Sequence, residues 1–273
     1  TELFEDNPFD YIQLDMEGSD ADTRRRCSVD LVRGMCRTFP DHTTSICTEY
    51  ITQLLSQYAQ SPDQNSHLKD AALHLMLAVS VKAHTLSQGA SELNEKVNVM
   101  EIFTTHVLPE IQDTSNLNQR PIVRADCIKF VNTFRRQFSL DQLKSLLPLL
   151  ISHLGSEQVV VQTYAALCIE RMLTVKDKNP QTGGRAVPRF NETELQPFLE
   201  SLFTGLFAVL DSPELKENDY IMKAIMRTLN VAKASIIPVT AIVLEKLTAA
   251  LARVCRNPSN PQFNHYLMES LAV

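Results

Sequence analysis

The densest chemistry in this sequence is ionic. Glu2, Glu5, Asp6, Asp10, Asp15, Glu17, Asp20 and Asp22 place eight carboxylates and no base in the first 22 residues. The net charge over all 273 residues is −6, so the remainder is close to +2. An acidic run attracts a basic partner and repels phosphate, which argues against direct nucleic-acid binding. On composition alone a solvated acidic loop is the simpler reading. Arg24, Arg25 and Arg26 follow at once, and pairing with Asp20 or Asp22 accounts for them, at about 0–1 kcal/mol per exposed pair. Arg124, Lys129, Arg135 and Arg136 form a second basic group, read either as a strip on the inner face of an array or as charges suited to a helix C-terminus.

Groups for bond-making chemistry are missing. The sequence holds no Gly-x-x-x-x-Gly-Lys, His-Glu-x-x-His, Gly-x-Ser-x-Gly or Gly-x-Gly-x-x-Gly. The seven histidines, at 42, 67, 74, 84, 106, 153 and 265, read as scattered, with no ligand partner at helical spacing. No enzyme, cofactor or metal is therefore expected, and His74, between Leu73 and Leu75, reads as a helix-packing residue. Six cysteines without a Cys-x-x-Cys pair read as free thiols of a reducing compartment, most of them in the core. Leu143-Lys144-Ser145-Leu146-Leu147 matches a groove-docking Leu-x-x-Leu-Leu peptide, but the same leucines fit a buried helix face. Asn191 with Glu194 makes a helix N-cap rather than a glycosylation site.

What must position these residues is helical. Only 7 glycines in 273 residues leave little material for the tight turns of a β-protein. The longest stretch without Asp, Glu, Lys or Arg is thirteen residues, Tyr50 to Pro62, so no membrane insertion is expected. Leu143, Leu146, Leu147, Leu150, Ile151 and Leu154 share one helix face, opened by a Ser139/Gln142 capping box. Val161, Tyr164, Ala165 and Cys168 repeat the spacing, and Met222, Ile225, Met226 and Leu229 do so again.

These segments fall into pairs. A lone helix over 22–38 precedes pairs at 43–84, 97–137, 140–174, 192–233 and 236–273, the last one truncated. Pro109, Pro148, Pro197 and Pro238 sit inside the first helices, 39, 49 and 41 residues apart. A period near 40 residues is that of HEAT or armadillo arrays. The expected fold is an all-α HEAT-repeat solenoid of stacked antiparallel helix pairs. It has no sheet and forms one continuous array over 1–273, with 1–22 as an extended acidic insertion. Residue 1 is Thr and Val273 falls within an expected helix, so the chain is expected to be a fragment of a longer one.

Longer blocks carry a resemblance. They are Glu5-Asp6-Asn7-Pro8, Asp15-x-Glu17-Gly18-Ser19-Asp20-x-Asp22-Thr23-Arg24-Arg25-Arg26, Asp30-Leu31-Val32-Arg33-Gly34, Val160-Val161-x-Thr163-Tyr164-Ala165-Ala166, Glu217 through Arg227, and Arg256 through Tyr266. Through them the chain resembles the central part of an exportin of the importin-beta superfamily. The resemblance implies a HEAT-repeat receptor that binds importin-alpha together with Ran-GTP and returns importin-alpha from nucleus to cytoplasm. Ran, not this chain, would hydrolyse the nucleotide. It also implies that residues 1–22 correspond to an acidic insertion in a central repeat. Asp6, Asp15, Glu17, Asp20, Asp22, Arg24, Arg25, Arg124, Lys129 and Arg135 are then the expected contacts to Ran or cargo. A different HEAT scaffold, of the phosphatase- or condensin-subunit type, is the alternative. Gln13 and Leu14 depart from the family pattern, which has two basic residues there.

Overall fold

Apolar residues three and four apart need a second surface to be buried against, and each helix finds one in its neighbour along the chain. The computed structural model describes residues 2–16, 23–85, 88–178 and 186–273. They form two compact units, Thr1–Gln137 and Phe138–Val273.

Unit 1 runs α1 (Glu2–Asp6), α2 (Pro8–Met16), α3 (Arg24–Thr38), α4 (Pro40–Gln60), α5 (Ser66–Ser80), β1 (Val81–Thr85), β2 (Gly89–Leu93) and α6 (Val99–Ile102). A π-helical turn over Phe103–Val107 leads into α7 (Leu108–Gln112), and α8 (Pro121–Phe134) closes the unit. The pair α4/α5 buries Ile51, Leu55 and Tyr58 against Leu73, Met76 and Leu77, and α8 packs on α5. In unit 2, α9 (Leu140–His153) pairs with α10 (Val159–Leu173), followed by β3 (Lys176–Lys178) and β4 (Ala186–Pro188). Then come α11 (Glu192–Leu195), a 3-10 turn over Gln196–Phe198, α12 (Leu199–Asp211), α13 (Asp219–Ala232), a 3-10 segment over Lys233–Val239, α14 (Thr240–Val254) and α15 (Pro261–Ala272).

The facing read from the sequence is largely present. Leu143, Leu146, Leu147, Leu150 and Leu154 are buried, so the Leu-x-x-Leu-Leu peptide is core. Ser139 and Gln142 make the reciprocal capping box. Val161, Tyr164, Ala165 and Cys168 are buried, as are Met222, Ile225, Met226 and Leu229. The Asn191 side chain accepts from the Glu194 amide at 3.1 Å. None of the six cysteines is in a disulfide; Cys47, Cys127 and Cys168 are buried, and Cys27 and Cys255 are exposed.

Three expectations need correction. The opening acidic segment is not extended over its described part. Phe4, Ile12 and Met16 fall on one buried stripe, Pro8 occupies the first position of α2 rather than interrupting a helix, and burial of the stripe offsets charge repulsion. The lone helix begins at Arg24, capped by Thr23, whose Oγ1 accepts from the Arg26 amide at 3.1 Å, and not at Asp22. The expectation of no sheet fails at two short hairpins, β1/β2 and β3/β4, both antiparallel. The first arises because α5 stops at Ser80, and Gly89, at φ 73°, turns the chain back. A Cβ on Gly89 would lie 2.5 Å from the Thr133 carbonyl and 2.6 Å from Arg135 Nη1, so the position admits only glycine. By length and composition alone Asp219–Val254 could cross a membrane, but the structure does not call for it. Lys233, at φ 46°, breaks it from a single α-helix, and α13 is core of unit 2.

Two stability outcomes follow. Leu147→Ala removes a fully buried branched side chain and is expected to cost about 2–5 kcal/mol. Lys144→Ala, which removes a half-exposed partner of Glu194, should cost distinctly less, and urea denaturation midpoints of the two variants check the ordering. Gly89→Ala forces both strain and a clash on the β1/β2 turn and should lower stability by about 1–3 kcal/mol or more, read as a drop in melting temperature.

Candidate functional site

Helical spacing gathers charge at one place in unit 1. Tyr11 and Asp15 lie four apart on α2, Asp70 and His74 four apart on α5, and Asp126 and Lys129 three apart on α8, so each helix presents two polar groups on one face. Arg25 of α3 completes the cluster. Its Nη2 donates to both Asp70 oxygens, at 2.9 and 3.1 Å, while Nη1 lies 3.2 Å from His74 Nε2 and 3.4 Å from the Tyr11 hydroxyl. His74 Nδ1 lies 3.0 Å from the Asp70 carbonyl oxygen, 3.1 Å from Asp70 Oδ1 and 3.8 Å from Asp126 Oδ1. Lys129 Nζ donates to Asp15 Oδ1 at 2.6 Å, and that oxygen is 4.0 Å from His74 Nε2.

Burial makes these contacts consequential, because charges removed from water must be matched. The Asp126 side chain is 1% exposed and Asp15 10%. Burial pushes the Asp126 carboxyl well above the ordinary range, the more so beside Asp70, although His74 opposes it. For Asp15 burial acts the same way, but Lys129 and His74 outweigh it and hold the group ionised far below its usual value. Burial would lower His74; Asp126, Asp15 and Asp70 together push it up to about 9. Beside the cluster a groove of about 320 Å³ runs between α3 and α5, lined by Arg24, Arg25, Val32, Asp70, His74 and Ala78 among others.

The sequence-derived contact residues separate into four groups. Asp15, Arg25 and Lys129 meet in the cluster. Asp6 and Arg24 are exposed. Arg124 and Arg135 are buried, so the expected basic strip on an inner face does not exist at them. Arg124 donates to the carbonyls of Glu110, Asp113 and Gln119 and pairs with Asp113 at 3.1 Å; Arg135 donates to the Asn132 carbonyl at 2.6 Å. Both satisfy backbone oxygens at chain reversals, which is why they sit inside. Glu17, Asp20 and Asp22 lie outside the described residues. The pairing expected for the arginine run involves Asp20 and Asp22, which lie outside the described residues; among the described residues Arg25 bonds Asp70 on α5, and Arg26 faces Asp30 at 3.8 Å. Tyr11, Asp70 and Asp126 were not singled out from the sequence. Asp70-x-x-x-His74 is helical ligand spacing, contrary to the reading of His74 as partnerless, and Asp126 is buried among Val123, Cys127 and Phe130 of α8.

The ion pair fastening α2 to α8 is testable. Asp15→Asn or Lys129→Met alone leaves a buried partner unmatched and should destabilise unit 1 by about 3–5 kcal/mol, whereas the double change should cost less than the two singles together. Because the folded Asp15 pKa is depressed, its contribution is present above about pH 4 and fades as pH falls below its unfolded value. Urea unfolding of the four species at pH 7 and at low pH reads both effects.

Sequence and structural comparisons agree on the kinship. The Cse1 family model matches residues 1–169, and that of the CAS/CSE protein C-terminus matches residues 170–273. Exportin-2 of Homo sapiens is 43% identical over 272 residues, covering 100% of this chain and 27% of the relative; exportin-2 of Oreochromis niloticus is 44% identical with the same coverage. The chain thus spans about a quarter of the length of the curated relatives it matches. A solved structure, the exportin Cse1 in its cargo-free, cytoplasmic state, superposes with a TM-score of 0.81 at 33% identity, covering 98% of this chain and 28% of that one. The helix pairs of both units are those of an all-α HEAT-repeat fold, and the chain belongs to the Cse1 (CAS/CSE) family.

Proposed function

We propose that the chain is a segment of a nuclear export receptor that binds importin-alpha together with Ran-GTP, returns importin-alpha to the cytoplasm and shuttles between nucleus and cytoplasm. The observation that carries this reading is the match to exportin-2 over the whole chain. In it the chain works by binding. Nucleotide hydrolysis belongs to Ran, and neither nucleic acid nor a membrane is a direct partner.

The acidic segment has two jobs in this account. Asp15 faces inward and holds α2 in place through Lys129. Glu5, Asp6 and Asp10 face solvent, and together with Glu17, Asp20 and Asp22 they offer carboxylates to a basic surface on Ran or cargo. Attraction between such surfaces acts at a distance and governs encounter more than the final affinity.

The test is made in the full-length receptor, with Asp6→Asn, Glu17→Gln, Asp20→Asn and Asp22→Asn combined and Asp15 untouched. Association with Ran-GTP and importin-alpha, followed by stopped flow, should slow and lose part of its salt dependence. An unchanged rate with an unchanged salt slope would reduce the run to a solvated segment. Retention of importin-alpha by the unaltered receptor only in the presence of GTP-locked Ran tests the receptor reading separately.

A further inference from the structure

We propose that Asp70, His74 and Asp126 form a binding site for a divalent cation of the zinc class. The site rests on unit 1 alone and does not depend on the export function. Asp126 supplies the first reason. Both its carboxylate oxygens are completely buried and accept no hydrogen bond from any described N–H or O–H donor, an arrangement that proteins avoid because the lost hydration goes unreplaced. Its side chain points at His74, and one of its oxygens lies within 4.8 Å of an Asp70 oxygen, so two carboxyls face one another in a dry place. Such a pair is stable only with positive charge beside the oxygens, which a protonated His74, a shared proton or a metal ion can supply.

Geometry and chemistry favour the metal. Bonds of about 2.0–2.2 Å in a tetrahedral zinc site separate neighbouring ligand atoms by about 3.3–3.6 Å. His74 Nδ1 is 3.1 Å from Asp70 Oδ1 and 3.8 Å from Asp126 Oδ1, and one ligand atom from each of the three residues lies within 4.8 Å of the other two. One imidazole with two carboxylates suits zinc and its first-row neighbours. Asp15, 4.0 Å from His74 Nε2, is placed to take the outer N–H of a ligating imidazole, the usual outer-shell partner of a metal-bound histidine. Asp70 and His74 also line the groove between α3 and α5, which gives a cation its path in and leaves one coordination position toward solvent. Arg25 is the competitor: its guanidinium bonds Asp70 and reaches His74 Nε2, so binding requires it to keep Asp70 and release the imidazole.

Cobalt(II) titration of the 273-residue chain, followed by its visible ligand-field bands, tests the proposal. One Co²⁺ per chain should bind with the intensity of a four-coordinate site and be displaced by Zn²⁺, with no thiolate charge-transfer band and no change after alkylation of the exposed cysteines. His74→Gln and Asp126→Asn should each weaken binding by about tenfold or more. Circular dichroism establishes that each is folded, and either one suffices if the other does not fold. Absence of stoichiometric binding would leave His74 and a shared proton to neutralise the two carboxyls and would overturn the site. So would binding that survives both substitutions or depends on thiols.

Discussion

A buried carboxylate whose own helix offers it Lys129, an ammonium already bonded to Asp15, is the constraint around which unit 1 is organised. Asp126 sits in the middle of the α8 face that otherwise buries Val123, Cys127, Phe130 and Val131. Leaving a charge there is prohibitively unfavourable, so the surrounding helices must bring compensation. Helix α5 brings the His74 imidazole and α3 brings Arg25, while Asp70 of α5 and Asp15 of α2 hold these and Lys129 of α8 in place. Four helices therefore converge on one polar point, and each loses a partner if any other shifts. Unit 2 is built differently. Leu143, Leu147 and Leu150 of α9 meet Tyr164 and Cys168 of α10, and α13 adds Met222 and Ile225, so apolar contact does most of the holding. Its buried Glu170 is met by Arg227 at 3.1 Å.

This difference explains how much of each part was legible in the sequence. Apolar periodicity reports directly on burial, so the faces of α9, α10 and α13 and the capping of α9 could be read residue by residue. Charge does not carry its own address. Arg124 and Arg135 look like surface residues in the sequence, yet both are buried because backbone carbonyls at nearby chain reversals accept their protons. Asp15 looks like one more acid in a repelling run, yet it is the residue that docks the run. The stripe Phe4, Ile12 and Met16 was the available signal, outweighed by counting charges. The i, i+4 pair Asp70 and His74 was visible on one helix, but Asp126 and Arg25 join it only through tertiary packing.

For function the consequence is a division of labour along a short acidic stretch. One carboxylate is spent on architecture, while Glu5, Asp6 and Asp10 stay in water. A segment anchored at one such point presents its remaining charges from a fixed base, which reduces the ordering cost of meeting a partner compared with a free chain. Under the proposed receptor function, that presentation is what a protein partner meets first.

Whether α2 is truly anchored can be measured without altering a residue. In native-state hydrogen exchange of the chain, the amides of Tyr11 to Met16, whose helix is sealed by Ile12, Met16 and the Asp15–Lys129 pair, should be protected well beyond an isolated peptide of the same sequence. Their protection should fall together with that of α5 and α8 as denaturant is added. Exchange of these amides at the unprotected peptide rate, with α5 and α8 still slow, would mean that the acidic segment is not part of unit 1, and the ion pair would lose its organising role.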